Sequence, residues 1–132
     1  MVQLRSHEWL GPAERSLRGR ALETALAHGI GLDADSVTVV LAAHAWCEEL
    51  TPGMWTAAVV RQLLWLDVAA WCAEFEVELP AAAATALWAV VTAAHDSGRL
   101  GVGSDDLAAL LVPLCDSGGF VPPRRGRHRR AG

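Results

Sequence analysis

The sequence predicts an all-α fold: a compact bundle of about five helices with a central apolar helix over residues 52–75 and a disordered basic C-terminal tail. Three observations point there. The chain is 52% apolar and dominated by alanine and leucine, a composition that packs a core and favours helix over strand. Glycine and proline divide it into five segments in which apolar residues recur at helical spacing. The charges also divide. Of the 11 basic residues, all arginine, five lie between Arg124 and Arg130, beyond Pro122-Pro123. Residues 1–120 therefore carry 6 Arg against 15 acids, a net charge of −9, and the tail carries +5. An N-terminal arm over 1–11, a helical domain over 12–117 and a flexible tail over 118–132 follow from these divisions.

The first helix opens at Pro12, whose fixed φ suits a first turn, and runs to about His28, before Gly29 and Gly31. Leu17, Ala21, Leu22, Ala25 and Leu26 make its inner face. Asp33, Asp35 and Ser36 are each competent to cap the second helix, read as Val37 to about Leu50. Its start, Val37 to Leu41, is apolar and largely β-branched and has the pattern of a buried strand, but the continuation through Ala45 and Trp46 favours helix. Thr51 and Pro52 have the form of a cap and first turn for the third helix, which ends near Phe75. Two apolar stripes run along it, one through Trp55, Val59, Leu63, Leu66 and Ala70, the other through Val60, Leu64, Val68 and Trp71. A helix apolar on most sides belongs at the centre of a bundle. Pro80 opens a fourth helix over Ala81 to about His95, with Leu87, Val90, Val91 and Ala94 inward. Ser104 is placed to cap a fifth helix, with Asp105 and Asp106 in its first turn, where the helix dipole favours negative charge.

Several function classes are disfavoured. Met54 to Ala73 approaches the length of a membrane span, but contains Arg61 and Asp67, each costing about 2.5–3.5 kcal/mol near a bilayer centre. No membrane association is expected. Cys47, Cys72 and Cys115 form no paired pattern, and the first eleven residues lack the apolar stretch of a signal peptide, so a reducing cytoplasm is the expected compartment. Arginine without lysine, with much alanine and glycine, matches the codon usage of a GC-rich bacterial genome. Gly98 to Ser104 enters a helix but lacks the lysine of a phosphate loop, and Asp105-Asp106 would repel an anion there. No nucleophile–base order is present, and the expectation leans away from an enzyme, with no cofactor and no evident small-molecule substrate.

Four sets of residues remain. His44, Cys47 and Glu48 share a helical face at metal-ligand spacing, and His95 or Cys115 would have to complete a site; without matched pairs, a rim histidine, a packed thiol and a solvated acid are the favoured roles. Asp67 lies between the apolar stripes of helix three, where a carboxylate needs a structural partner, a subunit contact or a proton. Arg61 and Trp65, one turn apart on the least apolar side of that helix, combine the two residue types most enriched at interface hot spots, and Trp55 lies on the same helix. Arg124, Arg125, Arg127, Arg129 and Arg130 could hold nucleic acid or an acidic partner by salt-dependent attraction, although no aromatic residue interleaves them. The leading expectation is a small non-enzymatic interaction protein, an adaptor or assembly subunit, working through a Trp-containing helical surface formed by Arg61, Trp65, Asp67 and Trp55. Self-association through helices three and four is its simplest form. A nucleic-acid-associated regulator using the tail and a metal-dependent enzyme using His44, Cys47 and Glu48 are the alternatives.

Overall fold

The computed structural model describes residues 10–46 and 54–115. The expected tail over 118–132 and most of the expected arm over 1–11 lie outside them. Among the described residues all regular structure is helical: α1 (Pro12–Ala27), α2 (Ala34–Trp46), α3, α4 (Ala83–Asp96) and α5 (Leu107–Cys115). Helix α3 is built from three contiguous stretches, Ala57–Gln62, a π turn over Leu63–Asp67, and Val68–Phe75.

Pro12 opens α1 as expected, and Arg15 anchors the entry through a 2.8 Å hydrogen bond from its guanidinium to the Leu10 carbonyl. Ala21 and Ala25 bury the inner face, with Leu17 and Leu22 packed beside them, but Leu26 is 74% exposed. At 100° per residue, Leu26 follows Ala25 round to the outer side, so the inner stripe is narrower than its apolar composition suggests. The helix closes with Gly29 in the left-handed region (φ 75°) and the Ile30 amide bonded back to the Ala25 carbonyl at 2.9 Å. This wrap satisfies carbonyls that a helix end otherwise leaves open.

Of the three possible caps for α2, Asp33 serves, its carboxylate accepting from the Ser36 amide and hydroxyl at 2.9 Å. The helix thus starts three residues earlier than the apolar pattern suggested. Eight consecutive residues, Ser36 to Ala43, are buried. The buried Thr38 hydroxyl donates to the Ala34 carbonyl and accepts from Arg18 of α1, so its desolvated oxygen is fully used.

Helix α3 begins at Ala57, not at 52; Met54 to Thr56 are not helical. Thr56 caps it, accepting from the Val59 amide at 3.1 Å. A second cap arrives from 48 residues away: the Asp105 carboxylate accepts from the Ala57 amide at 2.8 Å. Trp55 is clamped beside it, its amide donating to the Ser104 hydroxyl and its carbonyl accepting from the Asp105 amide, both at 2.9 Å. Ser104 and Asp105 therefore serve the start of α3. Asp106 caps α5, accepting from the Ala109 amide at 3.0 Å. The order Ser104-Asp105-Asp106 thus satisfies orphan amides of two helices whose N-termini meet. Asp105→Ala is expected to lower stability by about 1–2 kcal/mol, and Asp105→Asn, which keeps an acceptor oxygen, by less, both read from urea unfolding midpoints.

The most enclosed helix is α4. Nine consecutive residues, Ala86 to Ala94, are buried, and α4 touches every other helix. Its alanines admit neighbours close to the backbone, and Leu87, Trp88, Val90 and Val91 fill the remaining space. It starts at Ala83, not Ala81. Helix α3 packs on α2, α4 and α5, but buries only one side. Within α4 the buried Thr92 hydroxyl has no hydrogen-bond partner among the described residues. Thr92→Val keeps the shape and removes that desolvated oxygen, and is expected to raise stability by about 1 kcal/mol in thermal unfolding.

Candidate interaction face

The π turn of α3 decides which side chains meet solvent. Core positions of an α-helix recur every three or four residues, so after Val60 and Leu63 the next core position would fall on Asp67. Here the Val68 amide instead bonds to the Leu63 carbonyl, five residues back. One extra residue is absorbed in the turn, and Val68 takes the core position, with Leu63 1% and Val68 3% exposed. Asp67 moves to the half-buried flank, where its Oδ1 accepts from the Gln62 side-chain amide at 3.5 Å across the same turn. The desolvation that a core carboxylate would suffer is avoided without a charged partner.

Trp65 and Leu66 face solvent. They are 58% and 62% exposed, adjacent in sequence and bulky. The outer face carries two rows at helical spacing, Arg61, Trp65, Ala69 and Ala73 in one, Gln62, Leu66, Ala70 and Glu74 in the other, all eight exposed. Of the expected surface residues, Arg61 and Trp65 lie on this face and Asp67 on its flank. Trp55 does not. It is 2% exposed and precedes the helix, with its ring stacked on His44 at a 4.0 Å centroid distance and 6° between planes. Leu66, expected in the core stripe, belongs to the surface instead; the one cue in the sequence was the carboxylate at Asp67, on the stripe's own spacing. Helix α4 offers no such face, because its own chain covers residues 86–94.

The other candidates do not converge. His44 is half-buried between Trp55 and the Met54 carbonyl, 3.4 Å from its Nε2, and Cys47 and Glu48 lie outside the described residues. His95 is on the surface beside the Asp96 carboxylate at 3.1 Å. Among the described residues no three metal-ligating side chains group together. The five tail arginines also lie outside the described residues. Burial pushes the Cys72 thiol above its ordinary pKa, which suits a packing residue and not a nucleophile. Cys115 is exposed.

A cleft of about 280 Å3 between α1 and the Trp55 segment has Leu17, Leu41 and Trp55 as its apolar wall, with Glu14, His44 and Arg99 around it. Its imidazole stacks on Trp55. A polar groove of about 230 Å3 lies over Arg20, Glu23, Asp96 and Ser97. No helix among the described residues is long and apolar enough to cross a membrane. Compared with family models, curated proteins and solved structures, the chain matches none.

Proposed function

We propose that this protein is a small helical docking module, an adaptor or assembly subunit without catalytic activity, that engages a protein partner through the outer face of α3. One observation carries the proposal: a π turn breaks the regular helix and, in doing so, holds Trp65 and Leu66 side by side in solvent. π turns concentrate at functional sites, and a large aromatic beside a leucine, with Arg61 one turn before, has the make-up of an interface anchor. Such a pair costs solubility unless something covers it. Ala69, Ala70 and Ala73 continue the face as a smooth floor on which a helix can lie closely. The free thiols Cys72 and Cys115 fit a reducing compartment, and the cytoplasm is the proposed location.

The test compares the intact protein with Trp65→Ser/Leu66→Ser as bait in extract of the native cell, with bound proteins identified by mass spectrometry. Both side chains are exposed, so the variant is expected to keep its helical circular dichroism. Loss of specific captured chains, its own included, is the expected result. An identical catch by the two baits would overturn the proposal.

A further inference from the structure

Resting on the docking proposal above, we infer that the partner is a second copy of this chain, lying antiparallel on the first with α3 against α3. The two rows of the outer face are self-complementary in that orientation alone. A two-fold axis perpendicular to the helices reverses each row onto itself. Trp65 then meets Ala69 of the second copy, and Leu66 meets Ala70, a large side chain over a small one in both rows. Gln62 faces Glu74, an amide donor opposite a carboxylate acceptor. The charges agree. Arg61 is the cation at one end of the face, and exposed Glu74, Glu76 and Glu78 stand at the other, so antiparallel contact sets opposite charges together at both ends. Parallel contact would set arginine on arginine and carboxylates on carboxylates. A face of three to four turns on a single helix falls below the roughly 800 Å2 per partner of a standard interface, so the dimer forms and dissociates with concentration.

Sedimentation equilibrium under reducing conditions, from micromolar to about millimolar protein, is the test. The intact chain is expected to pass from monomer to dimer. Leu66→Ala leaves a hole against Ala70 and Ala70→Leu sets leucine on leucine; each is expected to weaken the dimer at least about tenfold. The double variant Leu66→Ala/Ala70→Leu exchanges knob and socket and is expected to restore the dimer to within about threefold. A double variant as weak as the singles would overturn the antiparallel register. A chain monomeric throughout would overturn the second copy as partner; the docking proposal would then stand if Trp65→Ser/Leu66→Ser still lost captured proteins, and fall with it if the two baits matched.

Discussion

Excising Asp67 is expected to leave the protein folded, whereas excising Ala70, three residues further on, is expected to unfold it. The difference follows from the π turn. Between Leu63 and Val68 the chain uses five residues to travel from one core position to the next. Removing Asp67 reduces that to four, the ordinary α spacing, so Val68, Trp71 and Cys72 keep their places against α2. Among the described residues the Asp67 side chain gives up only the long hydrogen bond from Gln62. Stability should change by no more than about 1 kcal/mol. Removing Ala70 instead rotates everything after it by about 100°. Trp71, 1% exposed, would move to the exposed place of Ala70, Cys72 would fall into the space the tryptophan had filled, and exposed Ala73 would take the buried place of Cys72. The loss of a buried tryptophan alone costs about 3–5 kcal/mol, a large share of the stability of a domain this size. Circular dichroism during urea unfolding reads both variants. Equal destabilisation by the two deletions would mean that α3 is regular.

Leucine-to-alanine changes at two positions with the same chemistry should differ as widely. Leu87 of α4 is wholly buried, in the run of nine buried residues that every other helix contacts. Leu87→Ala is expected to cost about 2–5 kcal/mol, the transfer of the lost methyl groups plus the cavity left among close-packed neighbours. Each kcal/mol moves the midpoint of a domain of this size by about 4 °C, so a fall of about 8 °C or more is expected in a thermal scan. Leu66→Ala, at 62% exposure, should stay within about 0.5 kcal/mol when measured on dilute protein. A large loss at Leu66 would return it to the core position that its apolar spacing implied.

The fold was largely legible in the residues. Pro12, the glycines at 29, 31, 98, 101 and 103, and the end of α3 near Phe75 marked helix boundaries by local chemistry, and the structure keeps them within a few residues. What escaped was non-local. Thr51-Pro52 has the local form of a helix start, but the helix starts where the Asp105 carboxylate, distant in sequence, caps Ala57. The late start also leaves Trp55 off the helix on which it was expected, and periodicity assumed one period throughout α3, whereas a π turn changes the phase in the middle; that is why Leu66 was expected inside. The alanine-rich segment 81–94 looked less central than the tryptophan- and leucine-rich one before it. Small side chains allow the closest approach, so α4 is the helix enclosed on all sides. Arg61 and Trp65 could be found on the outer face because arginine in an apolar helix marks the side turned to water.

The outward position of Trp65 is the central claim, and its solvent exposure can be measured directly. Fluorine NMR of protein grown with 5-fluorotryptophan, at concentrations where the chain is monomeric, resolves each indole, and Trp65→Phe assigns its signal. Replacing H2O by D2O is expected to shift the Trp65 resonance and leave those of Trp55, Trp71 and Trp88 in place, as their burial requires. A Trp65 signal as unresponsive as theirs would contradict the account.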